Sequence, residues 1–228
     1  MFASIETRWF LEPKSIEVQL IEKWFASHPK WKPNQPEPED DGPSLAFASG
    51  DQSSKNNNTT RTDYYLSLDG YPGLSFKIRE GKTEVKVLDK DLGLTRFNEN
   101  CSGRVEKWIK WGPDLLTDKA IPRDVFKKPE EFVAITKDRL LIKYEIDETG
   151  NPQRVDPNRK DLKNGCQVEL TRLTLNGTDL VSFGFESLGE DEWLLNSFNL
   201  ISVKTIAELD NVRLDANRSY GYPALLSK

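Results

Sequence analysis

Cysteine, histidine and methionine are scarce: the 228 residues hold two Cys, one His and one Met. Cys101 and Cys166 are too few for a disulfide framework and lack the spacing of a zinc site, so a reducing, cytoplasmic setting is expected. The one histidine, His28, stands at the end of the first helix beside Pro29. There it reads as a capping residue rather than a general base, which leaves a Ser-His-Asp or Cys-His arrangement without its imidazole. No G-x-x-x-x-G-K-[ST] and no G-x-G-x-x-G after a strand occurs, which removes the P-loop and dinucleotide-binding readings. No apolar run approaches the roughly 18 residues that span a bilayer, and the start MFASIETRWF has no signal-peptide core, so no membrane partner is expected. An excess of basic residues is missing as well. With 32 Lys and Arg against 37 Asp and Glu the net charge is −5, which argues against a coat for nucleic acid while leaving room for a local basic pocket.

What is present suits one sizeable β domain spanning 1–228, with six Trp and eleven Phe to fill its core. Residues 3–11 alternate as a strand, and Pro13 opens a helix of about four turns with Ile16, Leu20, Ile21 and Trp24 at helical spacing. Between Pro29 and Thr60 the chain is rich in Pro, Asp, Asn and Ser, and 29–60 reads as a flexible insertion. Leu74, Phe76 and Ile78 alternate with Ser75, Lys77 and Arg79. The turn Glu80-Gly81 then sets Phe76 opposite Val85, Leu74 opposite Val87, Lys77 opposite Glu84 and Ser75 opposite Lys86. Further strands are expected near 103–111, 132–146, 166–175 and 178–187. The Asn176-Gly177 turn registers Leu170 with Phe183, Val168 with Phe185, Thr171 with Ser182, Glu169 with Gly184 and Gln167 with Glu186. A helix near 190–201 and a short tail complete the chain. Trp108, Trp111 and Trp193 read as packing residues. About eight strands with two or three helices point to an α+β chain built on an eight-stranded antiparallel barrel.

The polar half of the strands collects Ser4, Glu6, Arg8, Lys77, Arg79, Glu84, Lys86, Arg104, Glu106, Arg139, Lys143, Glu145, Glu169 and Glu186. Two readings are open. The face is the solvated side of an ordinary antiparallel sheet, or it is the inside of a barrel, wet or filled by a charged ligand. In the second case Arg forks and Lys point charges suit phosphate oxygens. Glu169 and Glu186, diagonal neighbours, would then be near enough to share one ion.

Several segments resemble the CYTH, or triphosphate-tunnel, superfamily. Asp63-Tyr64-Tyr65, then Lys77-Ile78-Arg79, then Lys86 resemble its D-x-Y-Y, L-R-x-R and Lys-bearing strands. SIETRWF stands where that family has E-x-E-x-K, GRVEKW is similar to its R-x-E strand (Arg104, Glu106), and ITKDR to its K-x-R strand (Lys137, Arg139). FGFES lies at the late acidic strand and RSYGYPALL resembles the terminal S-Y-x-x-L-L. The resemblance implies a tunnel that binds organic or inorganic triphosphates, as in thiamine triphosphatases, tripolyphosphatases and class IV adenylyl cyclases. Phosphate would be held by Lys77, Arg79, Lys86, Arg104, Lys137 and Arg139. Glu6 and Arg8 would be catalytic, and Glu6, Glu169 and Glu186 would bind Mg²⁺ or Mn²⁺. Two family carboxylates are replaced, by Ser4 and Gly184. The basic set is better kept than the acidic one, so anion binding is better supported than metal catalysis. Three functions stay open: a metal-dependent triphosphate hydrolase, a non-catalytic binder of a phosphorylated small molecule or polyphosphate, and an interaction module using the insertion.

Overall fold

The computed structural model describes residues 2–28, 60–68, 70–79, 82–112, 132–159 and 161–227. The insertion read at 29–60 lies, apart from Thr60, outside the described residues, as do Glu80 and Gly81 of the first turn. Among the described residues nine strands and three α-helices follow in the order β1 (Phe2–Leu11), α1 (Ile16–Ser27), β2 (Arg61–Leu66), β3 (Leu74–Arg79), β4 (Lys82–Arg96), β5 (Ser102–Trp111), β6 (Phe132–Ile146), β7 (Pro152–Val155), β8 (Asn164–Leu175), β9 (Thr178–Gly189), α2 (Leu194–Glu208) and α3 (Tyr222–Leu226). All pairings between these strands are antiparallel. Because β2 pairs with β3 on one side and β6 on the other, the order β2-β3-β4-β5-β1-β9-β8-β6 returns to its start. The result is the expected eight-stranded closed barrel. β7 is added outside the ring on β6. It begins with Pro152, which has no amide to donate and so suits an edge.

Both hairpin registers occur as the pattern required. Leu74, Ser75, Phe76 and Lys77 face Val87, Lys86, Val85 and Glu84. The five pairs from Gln167–Glu186 to Thr171–Ser182 are all formed. The second turn works because Asn176 and Gly177 both hold positive φ, 49° and 76°, which Asn and Gly tolerate better than other residues.

Period-two alternation then sorts the strands. Ile5, Trp9 and Leu11 of β1, Val168 and Leu170 of β8, and Val181, Phe183 and Phe185 of β9 point outward. They are covered by Val18, Ile21, Trp24 and Phe25 of α1 and by Leu194, Phe198, Ile201 and Ile206 of α2. Burying each such side chain contributes about 1.5–3 kcal/mol, so the main apolar core lies between the helices and the outside of the barrel. The helices differ from expectation in phase. Ser15, whose hydroxyl accepts from the Val18 amide, caps α1. The buried stripe therefore runs through Val18 and Ile21 while Ile16 stays exposed. α2 starts at Leu194 and reaches Glu208, and Trp193 is exposed rather than packed. His28 ends α1 as expected, its amide bonding the Phe25 carbonyl and its ring lying against Trp24.

A second buried apolar cluster, Phe10, Tyr65, Ile135 and Leu173, sits on the inner face, with Tyr220, Tyr222, Leu225 and Leu226 of the C-terminal segment against it. That segment enters beside β1, where Trp9 bridges to Ser219 and the Tyr220 amide donates to the Arg8 carbonyl. Among the described residues no helix is long and apolar enough to cross a membrane.

Candidate functional site

Inward-facing positions of the eight barrel strands line a cavity of about 240 Å³, completed by Gly221, Tyr222 and Pro223. Arg79 and Arg139 both line it, which decides between the two readings of the polar face: the charged side is the lumen. Among the described residues eight lining side chains are cationic and four anionic, an excess of four positive charges inside a chain of net −5. Asp63, fully buried behind them, lowers the local excess to three.

The carboxylates are shared. Glu169 accepts from Arg8 at 2.8 Å and Arg139 at 3.3 Å, and from the Thr171 hydroxyl at 3.0 Å. Glu84 pairs with Lys77 at 2.6 Å and Arg79 at 3.5 Å. Glu6 holds Lys86 and, at 2.9 Å, Lys110. Glu186 pairs with Lys110 and accepts from Gln167 Nε2 at 2.6 Å. Asp63 lies 3.2 Å from both Arg61 and Lys137. The Asp63 oxygens and Arg61 Nε lack hydrogen-bond geometry despite that proximity. Four of the five carboxylates thus each answer two cations. Aromatic faces take up some of the remainder: Lys137 sits 3.7 Å from the Tyr222 ring centroid and donates to the Tyr65 hydroxyl at 2.8 Å, while Arg8 lies over Tyr222 at 5.0 Å.

Burial and cation crowding push the titrations apart. Removal from water, reinforced by neighbouring cations, brings Lys77, Lys110 and Lys137 down to about 8. Burial would raise the carboxyls, but the lysines and arginines outweigh it. Glu84 is held at about 2 by Lys77 and then Lys110 and Arg79, and Glu6, Glu169 and Asp63 also lie below their ordinary values. Glu106 is the exception. Burial raises it, the Trp108 indole donates to it at 3.1 Å, and the Glu6 charge disfavours its ionisation.

Of the residues nominated from sequence, Glu6, Arg8, Lys77, Arg79, Lys86, Lys137, Arg139, Glu169 and Glu186 all line the cavity. Arg104 does not. It shares a face with Trp108 and Lys110, but the β4–β5 ladder carries it to Asp91, with which it pairs, and its side chain is 40% exposed. Lys143 and Glu145 also leave the lumen, engaging the Arg159 carbonyl and guanidinium beside β7. Eleven further described residues line the cavity without a site role in the sequence reading, and four of them are instructive. Lys110 continues the alternation Arg104-Glu106-Trp108-Lys110 and was legible there. Arg61 is the first residue of β2, directly after a polar run, and Gln167 stands opposite Glu186 in the hairpin register without a charge to mark it. Tyr222 reaches the lumen only because the tail folds back.

The metal-ligand expectation meets a different arrangement. Ser4 donates its hydroxyl to Glu6 at 2.7 Å, a neutral side chain at the position where the resemblance implies a second anion. At Gly184 a side chain has no room, since a Cβ would lie 2.6 Å from the Thr7 carbonyl oxygen. Glu169 is engaged by arginines and Glu6 and Glu186 by lysines. Among the described residues no three His, Cys, Asp or Glu side chains are grouped so as to hold a metal ion.

No family model matches the sequence and no curated protein matches it. A solved structure from Bacillus halodurans, described as a candidate adenylate cyclase, aligns over 95% of this chain and 95% of its own, at 10% identity and a TM-score of 0.39. That likeness is too slight to carry a functional argument, which falls to the lumen itself.

Proposed function

We propose that the barrel is a receptor for a phosphorylated, multiply charged anion, an organic or inorganic triphosphate or a polyphosphate, held in the lumen. The observation that supports it is the cation excess. Among the described residues eight lysines and arginines face four carboxylates in one cavity, and an uncompensated buried charge is costly enough that a protein keeps it for a partner. Phosphate oxygens suit the set present, since Arg8 and Arg139 offer planar forks and Lys77, Lys86, Lys110 and Lys137 offer point charges. The CYTH-like order of the strand motifs agrees with this ligand class.

Calorimetric titration with tripolyphosphate, ATP and thiamine triphosphate tests the reading. At least one ligand should bind, and Arg8→Ala should weaken it by about 2 kcal/mol or more, the scale of a lost charge-assisted bond. No heat with any member of the panel would remove the proposal. Turnover, with Glu6 and Arg8 at the reacting phosphate and Mg²⁺ or Mn²⁺ present, would register as phosphate release above that of Arg8→Ala. Without it the protein is a binder.

A further inference from the structure

We infer that the lumen takes its phosphorylated ligand as the metal-free polyanion, with the Lys86–Glu6–Lys110–Glu186 chain standing where a divalent cation would be held. The inference rests on the receptor reading and adds what accompanies the ligand. A hard divalent ion needs several oxygen donors free to turn toward it. Glu6 and Glu186 are instead bridged by one ammonium, that of Lys110, and Lys86 closes the other side of Glu6. The second oxygen of Glu186 is taken by Gln167. Glu169 is bracketed by two guanidiniums and a hydroxyl.

Nor do β1 and β9 supply a further carboxylate beside Glu6 and Glu186, and Glu84, the fourth that lines the cavity, is held by Lys77 and Arg79. Gly184 faces Arg8 across the β1–β9 ladder with no space for a side chain, and Ser4 is neutral and already bonded to Glu6. A metal would therefore have to displace ammonium groups from Glu6 and Glu186, and guanidiniums from Glu169, while standing among eight cations. Those same ammoniums can neutralise phosphate oxygens directly, which is the work a metal does in a triphosphate site. In this lumen a bound Mg²⁺ on the ligand is a liability: it cancels charge that Lys86 and Lys110 would otherwise meet.

The test is titration of tripolyphosphate into the full chain, once in EDTA and once in excess Mg²⁺. Mn²⁺ paramagnetic resonance of the protein alone serves as a second readout. Binding in EDTA that matches the Mg²⁺ affinity within about twofold, or exceeds it, supports the inference, and the protein alone should leave the Mn²⁺ signal free. Binding more than about twofold tighter with Mg²⁺, or Mn²⁺ captured by the protein alone, overturns it while leaving the receptor reading in place. Absence of binding in both buffers overturns the receptor reading and this inference with it. Lys110→Met, which releases Glu6 and Glu186 together, should lose about tenfold in the EDTA titration and less in Mg²⁺; an unchanged EDTA affinity would contradict the role given to that lysine.

Discussion

Raising the pH from about 7.5 to about 9.0 should strip the lumen of much of its attraction for phosphate, because three of its lysines titrate in that interval. Lys77, Lys110 and Lys137 ionise near 8 when the cavity holds no ligand. A bound polyanion raises each of these values, so ligand and proton bind together. If a lysine must be charged in the complex, its protonated fraction falls about eightfold over that interval, and affinity falls by the same factor. One such lysine costs about 1.3 kcal/mol, and three acting independently would lower affinity roughly 600-fold. ATP is the probe for this titration, because the last ionisation of a phosphate ester lies near 6 and changes little over the interval. Calorimetry across the range gives the affinity, and repeating it near pH 8 in buffers of different ionisation enthalpy counts the protons taken up. The slope should be negative and the uptake positive. A dissociation constant unchanged between the two pH values, with no proton uptake, would refute the argument that these ammoniums meet the ligand.

Replacing Glu84 by Gln removes the shared partner of Lys77 and Arg79, so stability should fall by about 3 kcal/mol in urea denaturation while affinity for tripolyphosphate rises. Gly184→Ala forces a methyl group to within 2.6 Å of the Thr7 carbonyl oxygen, and overpacking of that kind should cost about 1–3 kcal/mol in the same assay. Acid should weaken the fold in a defined window. Glu84 and its neighbours have depressed folded values, with Glu84 at about 2. Their stabilisation is thus complete above the unfolded carboxylate range and lost as pH falls toward 2, and melting temperature against pH should follow that course.

The barrel was legible because period-two alternation is unambiguous where one face is aliphatic and the other charged. Phe183 and Phe185 against Ser182 and Glu186 fix which side of β9 meets the helices, and the Asn176-Gly177 turn fixes its register to β8. Sign could not be read from alternation. A polar strand face looks the same whether it faces solvent or a lumen, and only closure through β2 turns Arg79 and Arg139 toward one another's cavity. The stagger of the barrel is equally hidden, so alternation places Arg104 on the lumen face although the long β4–β5 ladder takes it out to Asp91. The sharing of Glu6 between Lys86 and Lys110 joins residues from three strands, a relation no local pattern encodes. The helix boundaries slipped where capping outranked spacing, as at Ser15.

Diffraction from crystals soaked in tungstate, a heavy mimic of a phosphoryl group, tests the central claim most directly. Anion density is predicted inside the barrel, within hydrogen-bond reach of Arg8, Arg139 and the lumen lysines. Tungstate confined to the outer surface, with the lumen filled by water alone, would contradict it.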